Sequence, residues 1–251
     1  MQKYSIFNLI KNAFSNHENW DLAWKDPTPK KEYDVVIIGG GGHGLATAYY
    51  LAKEHNITNV AIIEKGWIGG GNVGRNTTII RSNYMHDDNA LFSEFGMDLW
   101  RKMSQDLNYN VMFSPRGIIN LAHSDAQMNV YARRGNSMRL NGIDAVLLNR
   151  EEVKEIIPMA DFSENVRFPI FGGLMQPSAG TARHDAVAWG YARQADAMGV
   201  DIIQNCEVTG FDVVAGKING VRTSRGDIKV KKIGLCVAGS TNILADKLNI
   251  N

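Results

Sequence analysis

A glycine-rich turn early in the chain has residue types and spacing that suit a bound phosphate. Gly39, Gly41 and Gly44 form the spacing G-x-G-x-x-G, and Glu64 follows Gly44 by 20 residues. In a βαβ unit such glycines allow a tight turn, close approach of a pyrophosphate and close packing of helix on strand, while the acid accepts hydrogen bonds from ribose hydroxyls. Because Glu64 would repel a 2′-phosphate, the pattern predicts a dinucleotide site that disfavours NADP.

Two further residues could do chemistry. Arg81 ends the run Thr77–Ile80, and a guanidinium can hold a carboxylate through two parallel hydrogen bonds. The alternative is a surface arginine at a strand end. His184 falls in the first turn of a predicted helix, near a possible cap at Thr181, and the positive helix end favours its neutral ring. The alternative is a polar histidine at a helix start, bonded to Asp185.

The elements that must position the glycine turn can be read from the residues around it. The apolar run Val35–Ile38 does not alternate with polar residues, which is typical of a parallel strand buried on both faces. A helical pattern follows Gly44, and its first N–H groups would face the phosphates. A second apolar run, Val60–Ile63, ends at Glu64. This order favours dinucleotide binding over a glycine-rich turn in an unrelated α/β protein.

Composition excludes several functional classes. The 251 residues are 44% hydrophobic and 21% charged, as in ordinary globular proteins. The net charge of +1 gives no reason to expect nucleic acid or an anionic membrane as partner. No apolar run reaches the length of a membrane span. Cys206 and Cys236 fit no metal spacing and are expected to be reduced thiols in a cytoplasmic protein, with no metal site.

The chain is predicted to be an α/β protein with an inserted second domain. Residues 1–30 form an arm that is expected to pack on the domain or on another subunit, because Trp20 and Trp24 are costly to expose. Residues 31–105 and 166–251 form the nucleotide-binding domain, and residues 106–165 form a segment of the second domain.

Local patterns predict the remaining elements. Glycines cluster at Gly39–Gly44, Gly69–Gly71 and Gly172–Gly173, which favours backbone contacts with a ligand over flexible linkers. A hairpin-like strand pair is expected within Val111–Ala122. The other predicted helices are Phe7–Phe14, Asp125–Leu140, Glu151–Ile157 and Asp185–Met198, and the other predicted strands are Asp144–Leu148, Val200–Val208, Phe211–Val214 and Val221–Val230.

Two longer strings carry a family resemblance. Gly69–Tyr84 (GGGNVGRNTTIIRSNY) and Gly180–Gly190 (GTARHDAVAWG), together with the glycine turn, resemble the β subunits of heterotetrameric sarcosine oxidases, in the superfamily of FAD-dependent amine and amino-acid oxidases. The resemblance implies a Rossmann-like FAD-binding domain interleaved with an α+β substrate domain, as in D-amino-acid oxidase. Family members continue beyond Asn251 with a lysine and a glycine loop at the flavin, so the chain is expected to be a C-terminally truncated fragment or a short form.

The resemblance also implies cofactors, partners and a reaction. Non-covalent FAD on the glycine turn would take a hydride from the N-methyl carbon of sarcosine, giving glycine and a one-carbon unit. Electrons would then pass to an FMN tied covalently to His184 and on to oxygen. The α, γ and δ subunits would be partners, with NAD and folate bound there. The alternatives are a dehydrogenase of the dimethylglycine type and an inactive flavin-binding fragment.

Site residues follow from the turn and from the resemblance together. Arg81 is expected to clamp the sarcosine carboxylate, and His184 to tether FMN. The residues expected along FAD are Gly39, Gly41, Gly42, His43, Gly44, Glu64, Gly71, Asn72, Arg75, Asn76, Thr77, Val208 and Gly239.

Overall fold

A computed structural model describes residues 5–18, 20, 22–163, 165–248 and 250. The α-helices in this part of the chain are α1 (Ile6–Phe14), α2 (Gly42–His55), α3 (Asp87–Asp106), α4 (Asp125–Leu140), α5 (Arg150–Ile156), α6 (His184–Ala197) and α7 (Thr241–Asp246). The β-strands are β1 (Glu32–Ile38), β2 (Val60–Ile63), β3 (Ile79–Ile80), β4 (Ile118–Ala122), β5 (Val146–Asn149), β6 (Gly172–Gln176), β7 (Gly180–Thr181), β8 (Asp201–Ile203), β9 (Val208–Val214), β10 (Lys217–Thr223) and β11 (Ile228–Leu235). None of these helices is both long and apolar enough to cross a bilayer.

The chain divides into two compact units, and the first contains the glycine turn. It comprises the described residues of 1–77, 105–111 and 184–251. Its six-stranded sheet has the order β8-β2-β1-β11-β10-β9. Strands β8, β2, β1 and β11 are parallel, and β10 is antiparallel to both of its neighbours. All four residues of β2 are buried, as the continuous apolar run predicted, because a parallel strand covered on both faces has no solvated side.

Helices α2 and α6 pack against each other in the first unit. Small residues allow this close contact, since Ala48 and Ala52 of α2 and Ala188 and Ala192 of α6 are all buried. Aromatic rings of the two helices also meet, with the centroids of Tyr49 and Tyr191 5.3 Å apart in an edge-on arrangement. The contact fixes the start of α6 relative to the helix that opens at the glycine turn.

The second unit is an antiparallel sheet with helices. It comprises the described residues of 78–104 and 112–183. Strand β6 lies between β4 and β5, and the short strands β3 and β7 form a separate ladder. Met138 of α4 and Leu174 of β6 belong to one buried cluster, and Val153 of α5 belongs to another with Leu148 and Ile170.

The limits of the second unit differ from the predicted segment 106–165. Strand pairing explains the difference, because β6 pairs with both β4 and β5 and β7 pairs with β3. The chain therefore enters this unit before residue 106 and leaves it after residue 165, while residues 105–111 belong to the first unit. Whether the units are functional domains stays a prediction.

Most predicted helices are confirmed, but several strand predictions are wrong. Only Ile118–Ala122 forms a strand within the expected pair, and it pairs with β6. Val200–Val208 splits into β8 and β9, since Asn205 adopts a left-handed backbone between them. Val221–Val230 contains a turn, where Gly226 has φ +112°.

The glycine pair in β6 has a packing role. A Cβ atom at Gly172 would lie 2.4 Å from the Leu148 carbonyl oxygen, and one at Gly173 would lie 2.8 Å from the Ile119 side chain. Close approach of neighbouring strands and side chains therefore explains this cluster, and the expected ligand contact is not needed there.

The end of the N-terminal arm packs on the first unit. The Asp26 carboxylate accepts hydrogen bonds from the Gln204 backbone N–H and from the Arg225 guanidinium, at 3.1 and 2.9 Å. Lys30 forms an ion pair with Asp201 at 2.7 Å. The arm's helix α1, in contrast, has no buried residue. Residues near Asp26 therefore pack on the first unit, whereas the side chain of Trp20, one of the two tryptophans behind the expectation, is exposed.

Candidate functional site

The glycine turn joins β1 to α2 and leaves no room for a side chain at two of its positions. Gly39 has φ +110°, and a Cβ atom there would lie 2.4 Å from the Cys236 carbonyl oxygen. A Cβ atom at Gly44 would lie 2.0 Å from the Gly39 carbonyl oxygen. No side chain fits at either position, so these two glycines bring the helix against the strand, as the fingerprint predicted.

The start of α2 leaves backbone donors available. Gly41 is the residue before the helix, and a Cβ atom there would meet nothing nearer than Val73, at 3.9 Å. The first N–H groups of an α-helix, here those of Gly42, His43 and Gly44, have no carbonyl partner within the helix. The His43 side chain is exposed, and its carbonyl oxygen accepts a hydrogen bond from Thr47 Oγ1 at 2.7 Å. Free donors and open space at a helix N-terminus suit a pyrophosphate.

Glu64 lies beside the turn at the end of β2. Its Oε2 accepts a hydrogen bond from the Gly40 N–H at 2.7 Å, and its Oε1 accepts one from the Gly66 N–H at 2.8 Å. A carboxylate can accept about four hydrogen bonds, so two positions remain for ribose hydroxyls. The structure thus places the predicted acid next to the predicted phosphate site.

A second glycine segment contacts the first. The Gly69 N–H donates to the Gly40 carbonyl at 3.2 Å, and the Gly74 N–H donates to the Gly69 carbonyl at 3.0 Å. A 3₁₀ turn, Asn72–Arg75, follows. The residues predicted along FAD in this segment are exposed: Gly71, Asn72, Arg75, Asn76 and Thr77. They can therefore contact a ligand bound at the turn, and that role stays a prediction.

His184 is the first residue of α6, and one of its ring atoms lacks a partner. Its Nδ1 is buried and forms no hydrogen bond in the part of the chain that the structure describes. One turn further on, the Ala188 side chain packs against Gly69. The expected cap at Thr181 is wrong, because that residue lies in β7 and exchanges backbone hydrogen bonds with Ser114.

Val208 and Gly239 were also expected at the cofactor. The sequence predicted a strand that ends at Val208, but in the structure Val208 is the first residue of β9. The predicted strand is interrupted because β8 ends at Ile203 and the Cys206 N–H then donates to the Glu64 carbonyl at 2.9 Å. The Val208 side chain is buried in the core. A Cβ atom at Gly239 would meet no atom within 4 Å. Backbone contact of either residue with FAD stays a prediction.

Arg81 lies in the second unit, directly after β3 as predicted. Its Nη1 donates to Asn83 Oδ1 at 2.9 Å, and its guanidinium lies 5.2 Å from the Tyr84 ring centroid. It borders a groove of about 320 Å³ whose other walls include Phe92 and Trp100. An arginine beside an apolar groove can bind a small molecule that carries a carboxylate.

A buried polar network holds the residues after Arg81. Ser82 Oγ donates to Glu94 Oε2 at 2.6 Å and accepts from Gln176 Nε2 at 2.6 Å. The Ser82 N–H donates to Gln176 Oε1 at 3.1 Å. The Ser82 hydroxyl donates one hydrogen bond and accepts another, and the Ser82 N–H donates a third. These three bonds fix the backbone at this position. Sequence reasoning missed this network, which joins residues far apart in the chain.

Arg134 was also missed. Its Nη2 donates to the Asn83 carbonyl oxygen, and its Nε is buried without a partner among the described residues. Burial, and after it the positive charge of Arg81, lower the pKa of Arg134. Helical spacing offered a signal, because Arg134 lies between Tyr131 and the buried Met138 on α4. That spacing could show a buried face, but it could not show which segment the face contacts.

Comparison with known proteins agrees with this geometry. Residues 34–250 match the family model described as "FAD dependent oxidoreductase". The chain is 58% identical over 97% of its length to sarcosine oxidase subunit beta of Rhizobium meliloti, and 52% identical over 98% to that of Rhodobacter capsulatus. It spans 58% and 59% of the length of those relatives.

A solved structure agrees in fold. L-Proline dehydrogenase from P. horikoshii is similar with a TM-score of 0.82 at 27% identity, over 89% of this chain and 57% of that one. The chain belongs to the FAD dependent oxidoreductase family.

Proposed function

We propose that this chain supplies the FAD site and the carboxylate clamp of a sarcosine oxidase β subunit. Arg81 carries the proposal, since it borders an apolar groove and forms no ion pair with a carboxylate among the described residues. Identity of 58% to a sarcosine oxidase subunit beta supports sarcosine as the substrate. FAD, when bound, supplies the oxidant for the N-methyl carbon–nitrogen bond, and the protein supplies binding and orientation.

The glycine turn is the proposed FAD anchor. Gly41, Gly42 and His43 offer backbone donors to the pyrophosphate, and Glu64 offers lone pairs to the adenosine ribose. The open backbone at Gly41 fits a phosphate, because no side chain fills that space.

Arg81 is the proposed carboxylate clamp. A guanidinium has five N–H donors, and the bond to Asn83 Oδ1 uses one of them, so enough remain for a bidentate carboxylate. Unprotonated sarcosine loses two electrons and two protons, from its N-methyl carbon and its amine nitrogen, and becomes an imine. Hydrolysis of that imine gives formaldehyde and glycine, while transfer of its carbon to folate gives glycine directly.

His184 is the proposed attachment point of FMN. Its buried Nδ1 lacks a partner, which fits a ring nitrogen available for a covalent bond. FMN would supply electron transfer to oxygen. The α, γ and δ subunits, with NAD and folate bound there, complete the proposal and rest on resemblance.

Acid denaturation of the assembled oxidase tests the covalent link. Flavin colour is expected to stay with the precipitated wild-type β subunit and to be lost in H184N. H55N, a histidine change at the end of α2, is the matched control and should keep the colour. Wild-type precipitate that is colourless would contradict attachment at His184.

Steady-state kinetics of the assembled oxidase test the carboxylate clamp. R81Q is expected to raise the sarcosine KM about 100-fold, because hydrogen bonds to charged groups contribute about 1.5–3 kcal/mol each. R116Q removes an exposed arginine of the same unit and should leave KM unchanged. An R81Q enzyme with the wild-type KM would refute the clamp, and a preference of the wild type for dimethylglycine would favour the alternative substrate.

A further inference from the structure

We propose that Arg134 is a positioning residue that adds a second positive charge behind Arg81 in a single anion site. This inference rests on the proposed function, since it takes the substrate carboxylate as the anion. It assigns a role in substrate selection to α4, which contributes no residue to the glycine turn.

Both arginines bind the same residue from different elements. Arg81 Nη1 donates to Asn83 Oδ1 at 2.9 Å, and Arg134 Nη2 donates to the Asn83 carbonyl oxygen. Asn83 itself is fully buried. The residue therefore links the two guanidinium groups, one through its side chain and the other through its backbone carbonyl.

Around the two guanidinium groups, buried hydrogen-bond donors outnumber the acceptors available to them. Arg134 Nε and Asn83 Nδ2 are buried, and neither has a hydrogen-bond partner among the described residues. A buried donor without an acceptor is costly, and a native structure usually satisfies it with water or a ligand. Donors alone, together with two positive charges, select a ligand that accepts hydrogen bonds and is negatively charged.

No carboxylate among the described groups that act on Arg134 neutralises the positive charges of Arg81 and Arg134. Besides Arg81, the ionisable groups that act on Arg134 are the phenols of Tyr131 and Tyr84, and neither of them is a carboxylate. Glu94 is the acid of the neighbouring network, and its two oxygens accept from Ser82 and from Arg101, at 2.6 and 3.3 Å. Two like charges held near each other favour a bound anion, since it reduces their mutual repulsion.

Acetate binding to the FAD-loaded oxidase tests the inference apart from turnover. Saturation-transfer NMR of the methyl protons gives a Kd for acetate, and acetamide serves as the neutral probe of the same shape. R134Q is expected to raise the acetate Kd and the sarcosine KM about tenfold, with kcat within about twofold of the wild type and acetamide binding unchanged. R133Q removes the adjacent exposed arginine of α4 and should match the wild type.

Each outcome bears on the inference. An acetate Kd in R134Q equal to that of R133Q overturns it, and so does a wild type that does not bind acetate. If the wild type fails to oxidise sarcosine while its acetate Kd still depends on Arg134, the proposed function fails and the anion site stands.

Two further variants cover a failure of R134Q to fold. R134M keeps the aliphatic stem and removes only the guanidinium, so it repeats the test without a buried amide. If neither neutral variant retains FAD, R134K decides, because it keeps the charge. An acetate Kd within about threefold of the wild type supports a charge role, and a rise of tenfold or more contradicts it.

Discussion

At the scale of single residues, the glycines of the phosphate turn differ in what a side chain would meet. A Cβ atom at Gly44 would overlap the Gly39 carbonyl oxygen, whereas one at Gly41 would have open space around it. The first position therefore serves the fold, and the second is the one proposed to serve the ligand. This difference separates the two glycines experimentally.

Alanine at Gly44 should lower stability, whereas alanine at Gly41 should mainly weaken FAD binding. G44A is expected to lower the free energy of unfolding by about 3 kcal/mol, because the strand and helix must separate to admit the methyl group. G41A is expected to change it by about 0.5 kcal/mol or less while raising the FAD Kd about tenfold, since the methyl occupies space for the pyrophosphate. Chemical unfolding and FAD titration measure the two effects. A stable G44A protein, or a G41A protein with unchanged FAD affinity, would contradict the assigned roles.

Residues that act through their own backbone could be predicted from sequence, and residues that act through distant partners could not. The fingerprint glycines and Glu64 lie within one βαβ unit, so their spacing determines their proximity. Arg134 contacts Asn83 through the packing of α4, and Gln176 reaches Ser82 from β6. Neither contact has a local sequence signal.

At the scale of elements, a two-strand ladder positions Arg81. Ile80 pairs with Gly180, and Arg81 is the next residue after β3. A Cβ atom at Gly180 would lie 2.0 Å from the Ser114 carbonyl oxygen. The ladder can therefore form only with glycine at this position.

Alanine at Gly180 should move the end of β3. G180A is expected to raise the sarcosine KM at least tenfold and to destabilise the protein by about 1–3 kcal/mol, as overpacked positions usually do. FAD content should stay at the wild-type level, since the glycine turn belongs to the other compact unit. Kinetics and flavin absorbance per protein check this, and an unchanged KM would show that Arg81 does not depend on the ladder.

Helix patterns were more predictable than strand patterns. The predicted helix Asp125–Leu140 forms at those residues, and Ser124 caps it by accepting a hydrogen bond from the Gln127 N–H at 3.2 Å. The expected strand Val221–Val230 fails because a turn signal, Ser224-Arg225-Gly226-Asp227, lies inside the predicted range. Helical periodicity extends over many residues, whereas a strand of a few residues is ended by one left-handed position.

At the scale of the whole molecule, Arg225 contributes three of the hydrogen bonds at the contact between the arm and the rest of the first unit. Arg225 Nη1 donates to Asp26 at 2.9 Å and to the Gln204 carbonyl at 3.0 Å, and Nη2 donates to the Pro27 carbonyl at 3.3 Å. Because one guanidinium serves three acceptors, its loss should release the arm near Asp26 without unfolding the sheet.

Hydrogen exchange can detect that release. R225A is expected to speed amide exchange at Lys25 and Gln204, whose N–H groups donate to carboxylates of the arm contact. K232A removes an exposed charge from the same sheet and is the matched control. Equal exchange in R225A and K232A would show that Arg225 does not hold the arm.

Anaerobic titration of the FAD-loaded oxidase with sarcosine tests whether the glycine turn holds FAD and whether Arg81 holds the sarcosine carboxylate. The absorbance of oxidised flavin should fall on addition of sarcosine to the wild type, and R81Q should need about 100-fold more sarcosine for the same fall. Wild-type flavin that stays oxidised at saturating sarcosine would contradict the account.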